Sequence, residues 1–183
     1  GHENVSLRQL TSHAGVNVAA VNYHFGSKEL LVEAVFENLV QRVCEQRELA
    51  LEKLQPGESL MLEEIVRSFV DPYLGDGNEK QGALLARFLM RNRLYPTDGT
   101  RRVVSEYLDP MAKKYIAAFA QVCPNLSRQQ LVWRYLFMTN TLAASSAGDN
   151  LSRRIGALSA NSGNVELRER REAMIEFLVS AFR

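Results

Sequence analysis

The 183-residue sequence has few cysteines, few histidines and no long hydrophobic run, and each scarcity excludes a class of protein. Cys44 and Cys123 lie far apart, which is neither a disulfide framework nor a metal-binding spacing and suits a reducing cytosol. His2, His13 and His24 all lie near the N-terminus without metal-ligand spacing. No apolar run approaches the roughly 18 residues of a membrane span. We therefore predict a cytoplasmic protein with no membrane segment, metal or cofactor.

The residue sets of common enzymes are also missing. The sequence has no glycine-rich phosphate loop, no serine, histidine and acid arrangement, and no cysteine beside a histidine in a recognisable catalytic context. Acid pairs such as Glu63 and Glu64 are typical of a solvated helix face. We predict no catalytic residue, but these observations alone leave an all-helical enzyme and a protein-binding adaptor as alternatives.

The composition is that of an ordinary globular protein, with 46% hydrophobic and 23% charged residues and a formal net charge of +1. A chain of this length can bury a core without disulfides or metals. Its net charge neither proposes nor excludes a nucleic-acid partner. Between glycine and proline breaks, apolar residues recur at three and four positions, and period-two alternation does not persist for strand length. The pattern predicts an all-α fold of about eight helices.

The sequence predicts three further helices and one long loop. Lys28–Leu54 predicts one long helix, and Arg128–Ala147 and Val165–Phe182 predict two helices that are apolar on more than one side. Between these two, Asp149–Asn164 is rich in Ser, Gly, Asn and Arg, which predicts a mobile loop.

The most informative segment runs from Ser6 to Leu31. Leu7–His13 predicts a short helix that stops at Ala14 and Gly15, and Val18–His24 predicts a second one that starts behind Asn17. Neither helix would persist alone at that length, because helix nucleation is costly. Two short helices joined by a tight turn indicate a helix-turn-helix, which places its second helix in the DNA major groove.

Three motifs in this segment match one family: Ala14-Gly15-Val16, Tyr23-His24-Phe25 and Gly26-Ser27-Lys28-Glu29-Leu30. They resemble the DNA-binding half of the TetR family of transcriptional repressors. The resemblance implies a DNA-binding domain over residues 1–30 and an effector-binding and dimerisation domain over residues 31–183. It also implies a homodimer on a palindromic operator, and one further helix before Gly1 that this sequence lacks.

The side chains of the segment suit DNA contacts. Small and amide side chains that can meet base edges stand at Asn17, Val18, Ala19, Ala20 and Asn22. Side chains that can bind phosphates and set the register stand at Ser6, Arg8, Tyr23, His24 and Lys28. Phe25 and Val21 are expected in the core. Residues 1–30 carry no net charge, so basic residues of the missing helix or dimer avidity would have to strengthen binding.

The second half carries bulky apolar and aromatic side chains with a few polar groups, as ligand cavities do. The predicted lining is Phe69, Tyr73, Leu85, Phe88, Leu89, Arg93, Tyr107, Met111, Trp133, Phe137 and Asn140. Arg93 is the candidate partner for a carboxylate or phosphate at the cavity mouth. The segment Trp133–Met138 is similar to the regulatory domain of the subgroup that answers to fatty acids, which implies a hydrophobic effector such as a fatty acid or acyl-CoA.

The last two predicted helices carry more apolar surface than one packing contact would cover, which predicts a second partner for them. The family resemblance implies that this partner is the other chain of a dimer. The predicted interface is Leu131, Tyr135, Met138, Leu142, Leu167, Met174, Ile175, Leu178 and Phe182. The alternative is that these stripes serve only the core of one chain.

Overall fold

The computed structural model describes residues 6–54, 61–75, 77–147, 150–158 and 167–183. Within these ranges the chain is helical and has no strand, as the sequence predicts. The described ranges hold ten α-helices: α1 (Leu7–Ala14), α2 (Val18–Phe25), α3 (Lys28–Glu52), α4 (Leu62–Leu74), α5 (Glu79–Leu94), α6 (Asp98–Val103), α7 (Asp109–Val122), α8 (Arg128–Ser146), α9 (Asn150–Leu158) and α10 (Leu167–Phe182). None of these helices is long and apolar enough to cross a bilayer.

The chain divides into two compact units, Gly1–Asn38 and Leu39–Arg183. The residues of α3 belong to both ranges. The predicted functional boundary between residues 30 and 31 stays a prediction, because the division into compact units does not show which residues bind DNA or an effector.

Local capping shapes the first unit. Ser6 and Gln9 form a reciprocal capping box at the start of α1, and Gly15 ends the helix with a φ of 67°. The Val16 amide donates to the Thr11 carbonyl at 3.0 Å, which closes the left-handed stop in the Schellman pattern. Asn17 then caps α2 by accepting from the Ala19 amide at 2.8 Å. The turn between the two helices is therefore fixed by groups within a few residues of one another.

Aromatic packing dominates the core of the second unit, where α4 packs chiefly against α10 and α5 against α8. The Phe119 ring stacks on Phe182 with centroids 4.1 Å apart. The Phe69 ring meets Tyr115 and Tyr135 edge-on at 5.1 Å and 5.7 Å. Four helices thus contribute to one ring cluster, which gives this unit a core of its own.

Two irregular features shape the surroundings of that core. Gly82 is buried, and a Cβ on it would lie 2.3 Å from the Tyr73 carbonyl oxygen, so only glycine lets α5 approach α4 this closely. A π-helical turn, Val104–Leu108, joins α6 to α7, and Pro110 follows as the second residue of α7. Because a proline lacks an amide hydrogen and crowds the carbonyl four residues earlier, the widened turn accommodates it.

Two predictions about the fold are wrong. Asn150–Leu158 form α9 within the predicted loop, while Asp149 and residues 159–164 lie outside the described residues. Leucine and isoleucine at positions 151, 155 and 158 have helical spacing, and the surrounding polar composition obscured it. Phe25 is 36% exposed, so it does not belong to a core in the described part of the chain.

Candidate DNA-reading helix and effector cavity

The α2 helix presents nearly all of its side chains to solvent. No residue of α2 is buried, and Ala19, Ala20, Asn22, Tyr23 and His24 are all exposed. Val18 is half-buried. A helix of eight residues with no buried side chain contributes little to a core, so its surface is available for a partner.

The polar residues predicted around α2 differ in how much hydrogen-bonding capacity remains. Ser6 and Asn17 are exposed but already cap α1 and α2. Arg8 is exposed as well, and Lys28, at the start of α3, is half-buried. The Ser27 hydroxyl caps α3 by accepting from the Leu30 amide at 3.2 Å.

Tyr23 and His24 form the most prominent part of this surface. Tyr23 is 86% exposed, and its ring meets His24 edge-on with centroids 5.3 Å apart. A ring this exposed does not belong to a core in the described part of the chain, and its hydroxyl suits a phosphate oxygen.

A cavity of about 440 Å³ lies within the second unit, of a size that suits a small organic molecule. Side chains of α3, α4, α5, α7, α8 and the π-helical turn surround it. They are Arg47, Phe69, Tyr73, Leu89, Asn92, Arg93, Val104, Leu108, Asp109, Ala112, Lys113, Ile116, Val132, Tyr135, Leu136, Thr139 and Leu142.

The structure brings four of the eleven predicted lining residues to this cavity: Phe69, Tyr73, Leu89 and Arg93. The remaining seven lie elsewhere, namely Leu85, Phe88, Tyr107, Met111, Trp133, Phe137 and Asn140. One of these, Asn140, still contacts a lining residue. Asn140 accepts a hydrogen bond from Arg93, and the Tyr107 hydroxyl accepts one from Gln41 Nε2 at 2.7 Å.

The other five residues do not line the cavity, and the reason is physical. Leu85 and Met111 are buried in the core, Phe88 is half-buried, and Trp133 and Phe137 are 53% and 61% exposed. Helical periodicity identifies apolar stripes but not which space each stripe faces. Trp133 and Phe137 stack on each other at 5.8 Å on the outer face of α8.

The most unusual residue of the cavity, Arg47, has no distinctive signature in the sequence. It lies on α3, is only 4% exposed, and its guanidinium stands 3.5 Å above the centroid of the Phe69 ring. Its Nε and Nη2 both donate to the Phe69 carbonyl, at 3.2 Å and 3.0 Å. In the sequence it stands between Gln46 and Glu48 and resembles an ordinary solvated charge.

The phenols around Arg47 are neutral at physiological pH. Burial raises the pKa of Tyr73 and that of Tyr135 to about 12, although the positive charge of Arg47 lowers both slightly. Burial also raises the pKa of Tyr115, whose hydroxyl pairs with that of Ser68 at 3.0 Å. These groups can therefore exchange hydrogen bonds but do not supply a negative charge.

Two matches to family models cover most of the chain. Residues 67–181 match the tetracyclin repressor-like C-terminal domain, and residues 1–35 match the bacterial regulatory proteins of the tetR family. The chain belongs to the tetR family. No curated protein matches it significantly.

As a tetR-family member, the chain is a DNA-binding transcriptional regulator and not an enzyme, which removes both the enzyme and the adaptor alternatives. The family domains also imply dimerisation and a ligand-binding C-terminal domain. The described residues contain no group of three or more His, Cys, Asp and Glu side chains that could hold a metal ion.

Most of the residues predicted for the dimer interface lie inside the single chain. Seven of the nine predicted residues are buried in the core of the single chain: Leu131, Tyr135, Met138, Leu142, Ile175, Leu178 and Phe182. Met174 is half-buried, and the side chain of Leu167 lies outside the described part. The seven buried side chains pack within the single chain, and the position of the dimer interface stays a prediction.

Proposed function

We propose that the chain is a repressor that binds a roughly palindromic operator as a homodimer. A hydrophobic small molecule in the cavity, such as a fatty acid or acyl-CoA, then releases it. The observation that carries the DNA-reading part is the capped turn between α1 and α2, which leaves every residue of α2 unburied. Such a helix can enter a major groove without loss of core packing.

The proposed DNA contacts, on α2 and beside it, fall into base contacts and phosphate contacts. Val18, Ala19 and Ala20 offer methyl groups to thymine, and Asn22 offers an amide to adenine. Arg8, Tyr23, His24 and Lys28 hold phosphates and set the register. Ser6 and Asn17 contribute mainly by capping, because their oxygens already accept amide hydrogens. The operator contact is then built on a turn whose geometry does not depend on DNA.

The homodimer would use the exposed apolar residues of the last helices rather than the buried stripes. Trp133 and Phe137 of α8 and Phe177 of α10 are all at least 53% exposed. Exposed aromatic residues grouped on two helices mark an interaction surface. A two-fold dimer also matches two symmetric half-sites.

Release would follow from a shift between two conformations, one of which fits the half-site spacing and one of which holds the effector. The α3 helix is the connecting element, since its residues include the proposed phosphate contact Lys28 and the cavity residue Arg47. An effector that binds one conformation more tightly shifts the population by that difference in affinity alone.

Gel shifts with DNA from upstream of the gene itself test this proposal. We expect a retarded protein–DNA complex, and we expect long-chain hydrophobic molecules to dissociate it. Ala112→Phe should fill the cavity and abolish the response while DNA binding persists, because Ala112 lines the cavity on α7. Ala117→Phe, on the exposed side of the same helix, is the matched control. If both variants respond as the unmodified protein does, the cavity is not the effector site.

A further inference from the structure

Arg47 is a buried cation whose charge is not balanced by any carboxylate in the described part of the chain. Two of its nitrogens are engaged by one neutral acceptor, the Phe69 carbonyl. Across the residues that the structure describes, no carboxylate forms an ion pair with it, and its Nη1 has no acceptor. An unbalanced buried charge is costly, and proteins normally pair it or bind a counter-ion.

The ring of Phe69 reduces that cost only in part. The guanidinium lies 3.5 Å above its centroid and 5.2 Å from that of Tyr73. A cation over an aromatic face gains attraction but keeps its full charge. The stack and the carbonyl bonds hold the planar group in one orientation, which presents the remaining N–H groups as a fixed fork.

The rest of the lining adds positive charge. Arg93 and Lys113 oppose the single carboxylate Asp109, so that with Arg47 the cavity lining carries three cations against one anion. Arg93, Lys113 and Asp109 are exposed, whereas Arg47 is buried. The exposed three therefore mark the mouth, and Arg47 marks the inner wall.

We propose that Arg47 is the receptor for the carboxylate of the effector, which is an amphiphilic free acid. The inference rests on the proposed effector function and gives it a head-group class and an orientation. The carboxylate meets the unsatisfied N–H groups of Arg47 on the inner wall, and the apolar tail lies along Leu89, Ile116 and Leu136 toward the mouth. A coenzyme A thioester has no free carboxylate on its acyl chain and does not complete this contact.

The mouth arginine is the weaker candidate for the same role. Arg93 is exposed and already donates from Nη1 to Asn140. A solvated ion pair contributes little because water and salt screen it, whereas a carboxylate that meets a buried guanidinium exchanges hydrogen bonds in a low dielectric. The neutral hydroxyls of Tyr73 and Tyr135, which also line the cavity, can donate to the same carboxylate.

The test compares probes that share a tail and differ only in the head: dodecanoate, dodecanol and methyl dodecanoate. Isothermal titration calorimetry measures their affinities for the unmodified chain, Arg47→Met and Arg93→Met. We expect the unmodified chain to bind dodecanoate at least roughly tenfold more tightly than the two neutral probes. Arg47→Met should bind all three equally, and Arg93→Met should keep the preference.

Each other outcome overturns a distinct statement. Equal affinities of acid and alcohol for the unmodified chain overturn the role of Arg47 but leave a hydrophobic effector in place. Loss of the preference in Arg93→Met alone places the head at the mouth and also overturns it. Failure of all three probes to bind overturns the proposed effector itself. If circular dichroism shows that Arg47→Met does not fold, Arg47→Lys replaces it in the test. The folded Arg47→Lys protein should keep a reduced preference for the acid. Either a complete loss of that preference or an unchanged preference would contradict the proposed fork.

Discussion

The helix-turn-helix and the helical bundle that follows it use their side chains in opposite ways. In α1 only Thr11 is buried, and in α2 no residue is, whereas α4 buries eight of its thirteen residues. The first pair of helices is held by capping groups and a glycine, which fix backbone geometry and leave the side chains outside. The bundle is held by interlocked rings. Substitutions should therefore change recognition in the first region and stability in the second.

The largest contrast should come from removing one ring in each region. Phe119 is fully buried and stacks on Phe182, so Phe119→Ala should lower the free energy of unfolding by about 3–5 kcal/mol. Tyr23 is 86% exposed, so Tyr23→Ala should change it by less than about 0.5 kcal/mol and still weaken operator binding. Urea denaturation measures the first quantity and gel shifts the second. Comparable destabilisation by both would contradict the contrast.

Two glycines sharpen the comparison, because one serves conformation and the other serves packing. Gly15 has a φ of 67° and open space around it, so Gly15→Ala should cost only the left-handed strain, about 1 kcal/mol. At Gly82 a Cβ would lie 2.3 Å from a backbone oxygen of α4, which cannot move alone. Gly82→Ala should cost about 3 kcal/mol despite the better helix propensity of alanine. Thermal melts of both variants measure the two losses of stability, and Gly82→Ala should show the larger one.

The proposed dimer surface predicts a loss of assembly without a loss of fold. Phe177 is 59% exposed on α10, so Phe177→Glu should yield a folded monomer with weakened operator binding. Ser180→Glu, exposed on the same helix but polar, is the control. Sedimentation at micromolar concentration reads the outcome. Trp133 lies on the proposed surface, so its fluorescence should also change when the dimer dissociates. If the Phe177→Glu protein remains a dimer, α10 is not part of the interface.

The same contrast explains which features the sequence predicts. Ser6, Gly15 and Asn17 act on groups only a few residues away, so the local sequence predicts the caps, the turn and the candidate DNA-reading helix. Arg47 acquires its meaning from Phe69 on another helix, which no local pattern reveals. For the same reason apolar spacing located α8 but not its orientation. Tyr135 faces the cavity and core, while Trp133, two positions earlier, is exposed.

A smaller effect distinguishes phosphate contacts from base contacts. Lys28→Ala should lower the slope of log affinity against log salt by about one, because one phosphate neutralisation is lost. Lys53→Ala, which removes an exposed lysine just beyond the other end of α3, should leave the slope unchanged. Asn22→Ala should instead alter which operator variants bind best, at an unchanged slope. Equal slopes for Lys28→Ala and the unmodified protein would remove Lys28 from the proposed contacts.

The smallest effect concerns the ionic contact between α4 and α10. Arg67 binds Glu172 through two hydrogen bonds, of 3.1 Å and 2.6 Å, and these bonds hold the pKa of Glu172 below its ordinary value of 4.5. A lowered pKa means that the folded state favours the charged carboxylate. The contact therefore stabilises the fold above pH 4.5, and this contribution disappears as the pH falls through the lowered pKa.

Glu172→Gln should accordingly lower the melting temperature slightly at pH 7 and leave it unchanged in acid below the folded-state pKa, where Glu172 is itself neutral. The effect is small because the carboxylate is 43% exposed, so that water and salt screen it. Glu176→Gln, on the exposed side of the same helix, should not change the melting temperature at either pH. Thermal melts at the two pH values separate charge from shape, since an equal difference at both would mean that Glu172 acts by packing and not by its ion pair.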